Sequence, residues 1–207
     1  DLIGERWALL VVRELILGPK RFTDLRSGLP GASPDVLAQR LRELEAAGVV
    51  QRRKLDPPAG SWVYELTDWG RELEDIVIAL GRWGSRSPLA DEELLKSSVD
   101  ATVLALKADF DQAAAKGLDA TYALQLDGEP FSVRVADGAI EIARGRPKDP
   151  DAVIESEQEA LAAVLWGQDS VTEGVRSGRV KLEGDRTTAK RFFSLFPLPT
   201  RVEIEAG

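Results

Sequence analysis

Apolar residues recur at helical spacing through the first part of the chain and at strand spacing through much of the second, and the elements follow from that change of period. In GASPDVLAQRLRELEAAG, residues 31–48, Ser33 is placed to cap a helix and Pro34 takes a first-turn position that has no N–H to lose. Gly48 suits a left-handed C-terminal cap. Leu37, Leu41 and Leu44 share one face of this helix, and Asp35, Ala38, Gln39 and Arg42 point the other way. Upstream, Trp7, Leu10, Val11 and Leu15 predict a first helix over Ile3–Leu17, and Phe22, Leu25 and Leu29 a short second one before the LPGAS turn. Helix, tight turn and capped helix make a helix-turn-helix.

Downstream, Val49-Val50 and Gln51-Arg52-Arg53-Lys54 lead into DPPAGS and the alternating Trp62-Val63-Tyr64-Glu65-Leu66, which predicts a β-hairpin with basic residues beside its tip. Thr67 caps a further helix, Asp68 to about Arg86, whose Trp69, Leu73, Ile76, Val77, Leu80 and Trp83 form a broader apolar stripe than a small domain buries alone. A short acidic connector follows. Val99–Ala115 reads as a helix, and Tyr122, Leu124, Leu126, then Phe131, Val133, Val135, then Ile140, Ile142 alternate as three strands joined by Asp-Gly turns. A strand at Asp151–Glu155, helices at Glu157–Trp166 and Val171–Arg176, a strand at Val180–Glu183 and a helix at Thr187–Phe196 complete an α+β region with an antiparallel sheet and helices. The expectation is a multidomain chain: a mainly α domain over residues 1–88, a linker over 89–98 and an α+β domain over 99–207.

Composition then narrows the chemistry. The net charge of −8 is unevenly placed: residues 1–90 hold 13 of the 27 Lys+Arg and 13 of the 35 Asp+Glu, leaving 14 and 22 for the rest. A neutral first half can still meet a polyanion if its cations gather on one face. With no Cys and no His, thiolate nucleophiles, imidazole bases and Cys/His zinc sites are absent from these residues, so no catalytic role, metal or cofactor is expected. No apolar run reaches membrane-spanning length, and DLIGERW lacks a signal-peptide charge pattern, so a cytoplasmic protein without membrane partners is expected. Asp151, Glu155, Glu157 and Glu159 lie along one segment without metal-loop spacing and read as a solvated helix start. RSGRVKLEGD does not match a phosphate-binding loop.

Gln39 and Arg42, one turn apart on an outward helix face, are the side chains that read adenine and guanine edges in a major groove, although polar outer faces are also what surface helices have. The order of elements adds to this. IGERWALLVVRELILGPKRFTDLRSGLPGASPDVLAQRLRELEAAGVVQRR followed by YELTDWGRELEDIVIALGRWG resembles the HxlR-type winged helix-turn-helix transcription regulators. The resemblance implies a homodimer on double-stranded operator DNA. It places Ser33, Asp35, Gln39, Arg40 and Arg42 on the recognition helix and Arg52, Arg53, Lys54 and Ser61 on the wing. It also makes Trp7, Trp69, Leu73, Ile76, Leu80 and Trp83 a dimer interface. Some members of that family sense oxidants through a Cys near the first helix, a residue these 207 lack.

PDAVIESEQEALAAVLWGQDSVTEGVRSGRVKLEGDRTTAKRFFSLFP resembles the sterol-carrier-protein type of domain, a resemblance that covers residues 99–204 and is best from Pro150 to Phe196. The resemblance implies a tunnel for an apolar small-molecule effector, with Leu104, Leu126, Phe131, Leu165, Trp166, Phe192, Phe193 and Phe196 either lining it or forming ordinary core. Two functions follow: a regulator controlled by such an effector, or a lipid or small-molecule carrier that uses the helix-turn-helix only to dimerise.

Overall fold

The computed structural model describes residues 2–87, 98–167 and 169–203, and the chain divides into two compact units, residues 1–80 and 81–207. The linker expected at 89–98 lies, except for Ser98, outside the described residues.

In unit 1, α1 (Ala8–Ile16), α2 (Phe22–Gly28) and α3 (Pro34–Ala46) are followed by the hairpin β1 (Val50–Lys54) and β2 (Trp62–Leu66). The helix expected from Ile3 begins only at Ala8, because Trp7 at its start takes a left-handed backbone, φ 77°. The Trp7 ring is half-buried over Gly31, where a Cβ would come within 2.7 Å of it. Val11, Val12 and Leu15 of α1, Leu25 of α2 and Leu37, Leu41 and Leu44 of α3 fill one core. Burying each leucine contributes roughly 1.5–3 kcal/mol.

Both ends of α3 are finished locally. Ser33 Oγ accepts from Val36 N at 3.3 Å with Pro34 next to it. At the other end Gly48 N donates to Glu45 O (3.0 Å) and Val49 N to Leu44 O (2.9 Å), a Schellman pair that needs the left-handed Gly48, φ 74°.

The hairpin pairs Val50 with Leu66, Arg52 with Tyr64 and Lys54 with Trp62, and a short bridge from Lys20 pairs with the outer edge of β2 at Tyr64. Near that bridge the buried Glu14 carboxylate of α1 meets Lys20 Nζ at 2.7 Å and Arg13 Nη2 at 2.9 Å, which ties α1 to the start of α2.

The helix expected to run unbroken from Asp68 is two: α4 (Asp68–Arg71) and α5 (Leu73–Gly84). Thr67 Oγ1 caps α4 by accepting from Gly70 N (3.0 Å) and donates to Gly48 O (2.6 Å). That clamp sets Gly70 so close to the Val49 carbonyl that a Cβ there would lie 2.1 Å from it. The chain then passes Glu72 in a tightened turn, its N–H bonded to Trp69 O at 3.2 Å, before α5 continues.

In unit 2, α6 (Val99–Asp109) ends earlier than the periodicity implied. Phe110 is extended so that Asp111 N can donate to Leu195 O at 2.8 Å. The strands β3 (Ala120–Leu126), β4 (Glu129–Ala136) and β5 (Ala139–Arg144) form the expected meander, with β6 (Ala152–Ser156) and β7 (Val180–Gly184) added on the other side of β3. The order is β5-β4-β3-β6-β7. The sheet is mixed and not wholly antiparallel: β6 runs parallel to β3, Leu124 opposite Ile154, because the chain crosses over from β5 to reach that edge. Helices α7 (Gln158–Leu165), α8 (Val171–Arg176) and α9 (Arg186–Phe193) complete the unit, and Phe192 of α9 meets Tyr122 of β3 edge-on at 5.1 Å.

Candidate nucleic-acid interface

Helix α3 presents its candidate residues on the side opposite the leucine stripe. Asp35, Gln39 and Arg42 are exposed, and Ser33 is exposed at the cap. Gln39 is held from both sides: Arg42 Nη2 donates to its Oε1 (2.6 Å) and its Nε2 donates to Glu43 Oε1 (2.6 Å). An amide and a guanidinium thus lie side by side, the pair that distinguishes base edges. Arg40 differs. Its side chain is largely buried, hydrogen-bonded to Glu43 and 3.5 Å from Glu5, and so it braces α3 against the residues preceding α1.

On the hairpin, Arg52, Arg53 and Lys54 are exposed and Ser61 sits at the end of the tip, its Oγ donating to Ala59 O at 3.0 Å. Arg53 donates twice to Glu65, at 2.9 Å from both Nε and Nη2, and Gln51 Nε2 adds a third bond to that carboxylate at 2.9 Å. The hydrogen bond from Arg53 holds the Glu65 carboxyl below its ordinary range, and the same bond raises the Arg53 guanidinium. The Arg52 guanidinium instead stacks 4.5 Å over the Trp62 ring. Glu43, Glu65 and Trp62 escaped the sequence reading of the site. Their signals were the spacing of Glu43 from Gln39 and Arg40, and the hairpin register that sets Glu65 opposite Gln51.

Of the six residues expected at a dimer interface, Trp69, Ile76, Leu80 and Trp83 are 59%, 51%, 46% and 76% exposed. Ile76, Leu80 and Trp83 follow one another along α5 at i, i+4 and i+7 and form an uncovered apolar stripe. Trp7 and Leu73 are partly buried and pack on the core of unit 1.

In unit 2 the residues expected along a tunnel are mostly core. Leu104, Leu126, Phe131, Leu165, Phe192, Phe193 and Phe196 are buried, and Trp166 is half-buried with its Nε1 donating to Asp109 Oδ2 at 3.0 Å. Burial pushes the Tyr122 hydroxyl up to about 12, and its oxygen has no hydrogen-bond partner among the described residues. An open cavity of about 810 Å³ lies elsewhere, between the 111–119 loop and the Asp137-Gly138 turn. The four carboxylates of 151–159 do not gather. Asp151 accepts from Thr121 N at 2.8 Å, Glu155 pairs with Lys181 at 2.6 Å, and Glu157 and Glu159 begin α7. Among the described residues no three His, Cys, Asp or Glu side chains converge on a metal position, and no helix is long and apolar enough to cross a membrane.

Comparison with known proteins also gives two parts, with the break between residues 91 and 94, whereas the compact units divide between 80 and 81. Residues 2–91 match the family described as HxlR-like helix-turn-helix, and residues 94–201 match the family described as alkyl sulfatase C-terminal. An uncharacterised HTH-type transcriptional regulator, YvaP of Bacillus subtilis, is 36% identical over 41% of this chain and 79% of its own length. The HTH-type transcriptional regulator YodB of the same organism is 34% identical over 42% of this chain and 77% of its own. The solved sec-alkylsulfatase Pisa1 from Pseudomonas sp. is 17% identical, with a TM-score of 0.47 over 93% of this chain and 27% of that one.

Proposed function

Because this chain belongs to the HxlR-like helix-turn-helix family through residues 2–91 and to the alkyl sulfatase C-terminal family through residues 94–201, we propose that it is a DNA-binding transcriptional regulator. It acts as a homodimer on double-stranded DNA. The observation that carries this reading is the outward face of α3, where Gln39 and Arg42 stand exposed and mutually oriented while Arg40 is spent on carboxylates. Ser33, Asp35 and the wing residues Arg52, Arg53, Lys54 and Ser61 flank that face. The uncovered stripe of α5 supplies the two-fold contact, which sets two recognition helices about one duplex turn, roughly 34 Å, apart.

The second domain, residues 99–207 after a linker at 89–98, is in this reading a sterol-carrier-like effector domain with no catalytic role, and it takes an apolar small molecule. The observation favouring a ligand is Tyr122, whose buried hydroxyl beside Phe192 lacks a partner among the described residues, a costly arrangement that an acceptor on a bound molecule would relieve. The carrier reading, in which the helix-turn-helix serves only for dimerisation, predicts no preferred duplex.

The test is selection of preferred sites from random duplex DNA, followed by titration of the unaltered chain and of Gln39→Ala and Arg42→Ala. A near-palindrome with half-sites one turn apart is expected, and each variant should weaken binding by about 1–3 kcal/mol and relax the preference at one base position. Sequence-indifferent, equal binding by all three chains overturns the regulator reading.

A further inference from the structure

The wing carries three consecutive cations, and the hairpin separates them. Side chains alternate across a strand, so Arg52 and Lys54 lie on one face with their partners Tyr64 and Trp62, while Gln51 and Arg53 lie on the other with Glu65 and Val63. On the second face the charge is already cancelled. The Glu65 carboxylate is buried and receives three hydrogen bonds, two of them from Arg53. Moving Arg53 to a phosphate would strand that carboxylate in a buried position without its cation, which opposes the move.

The first face is arranged the other way. Arg52 and Lys54 have no carboxylate partner among the described residues, and the Arg52 guanidinium lies 4.5 Å over Trp62. A guanidinium stacked on an indole keeps its in-plane N–H donors free, and stacking removes much of the rotamer freedom that a phosphate contact would otherwise have to restrict. Trp62 has no part in the core that Tyr64 joins. It is 50% exposed, and it sits diagonally across the ladder from Arg52. The indole thus lies outside the core cluster of unit 1 and carries a cation on its face.

We propose that the wing grips the DNA phosphate backbone through the face bearing Arg52 and Lys54, with Trp62 positioning the Arg52 guanidinium and Arg53 acting as a strut of the hairpin. This rests on the DNA-binding reading above. The basic run is thereby divided, with two cations for the duplex and one for the fold.

Counting released counterions tests the assignment, because each phosphate contact contributes about 0.9 to the slope of log affinity against log salt. The full chain is titrated by fluorescence anisotropy against a labelled mixed-sequence duplex of about three turns, roughly 30 base pairs, from about 50 to 200 mM salt. In the proposed two-fold dimer each substitution removes one contact from both wings, so Arg52→Ala and Lys54→Ala should each flatten the slope by about 1.8, and their deficit against the unaltered chain should shrink by roughly 12-fold across that range. Arg53→Ala should leave the slope unchanged. So should the paired Arg53→Gln/Glu65→Gln variant, which removes the ion pair without stranding a carboxylate.

Trp62→Ala changes no charge, yet it should weaken low-salt binding by about 2- to 5-fold and move the slope toward that of Arg52→Ala. Trp62→Phe should restore most of the loss, and Trp62→Ala should cost nothing further in the Arg52→Ala background. The assignment is overturned if the Arg53 variants flatten the slope as Arg52→Ala does, or if the Trp62 and Arg52 effects simply add. Absence of salt-dependent duplex binding by the unaltered chain would instead overturn the DNA-binding reading itself.

Discussion

Helices α3 and α5 carry apolar stripes of the same periodicity and meet opposite fates. On α3, Leu37, Leu41 and Leu44 are fully enclosed and the polar face is turned outward. On α5, Leu73 and Val77 pack on the core, but Ile76, Leu80 and Trp83 stand in the open. Three large apolar side chains in line on one helix face are an exposed patch of the kind that interaction sites use, and it is this face that the proposed two-fold contact would cover. The two helices teach that periodicity reports a face, and only the number of apolar faces competing for one small core decides which of them is buried inside the chain.

Substitution separates the two cases most sharply. Leu41→Ala opens a cavity in the core of unit 1 and should cost about 2–5 kcal/mol of stability, read as a fall in the urea midpoint with the slope retained. Trp83→Ala should leave the stability of the isolated chain within about 0.5 kcal/mol. Its effect should fall on association: in the proposed homodimer, loss of an exposed aromatic anchor from the two-fold contact should loosen the pair by about 2 kcal/mol, roughly 30-fold, in sedimentation equilibrium. If Trp83→Ala destabilises the chain as Leu41→Ala does and leaves the association constant unchanged, the stripe of α5 is internal core and the contrast fails.

What was legible in the residues follows the same division between local and distant causes. Ser33, Pro34 and Gly48 bounded α3 because caps are decided by groups within a few residues. The Asp127-Gly128 and Asp137-Gly138 turns were readable for the same reason, with Asp127 and Asp137 both at positive φ as such hairpin turns require.

The break at Glu72 was not legible, since it depends on Gly70 meeting the Val49 carbonyl some twenty residues earlier in the chain. Nor was the parallel pairing of β6 with β3, which is a choice between two sheet edges that alternation along one strand does not encode. At the candidate interface, residue types and spacing pointed to Gln39 and Arg42. The separation of Arg52 from Arg53 appeared only once the register placed Glu65 beside one and Trp62 beside the other.

The helix ends provide the finest contrast. Both α3 and α5 are closed by backbone bonds, Ser85 N to Gly81 O (2.9 Å) and Ser87 N to Gly84 O (2.9 Å) in α5, but the end of α5 is in addition tied by side chains to residues 108 and 109 within unit 2. Arg82 Nε donates to Ala108 O at 2.8 Å and Ser85 Oγ to Asp109 Oδ1 at 3.2 Å, with Trp166 on the other carboxylate oxygen. Burial raises Asp109 above its ordinary value of 3.8, against the smaller opposing pull of Trp166, Ser85 and Arg82. A folded-state value above the unfolded one means that the group's stabilising contribution is complete below the unfolded value and is lost as pH rises through the folded one. Asp109→Asn, neutral throughout, should therefore gain stability relative to the unaltered chain as pH is raised from the acid side of that window to neutrality. The gain should be the smallest of the three effects, because the hydrogen bonds and Arg82 already offset part of the burial cost. Urea midpoints of the two chains measured in parallel across that range check it. Two curves that keep a constant separation would show that Asp109 does not titrate differently in the folded chain, leaving the end of α5 as indifferent to pH as the backbone-closed end of α3.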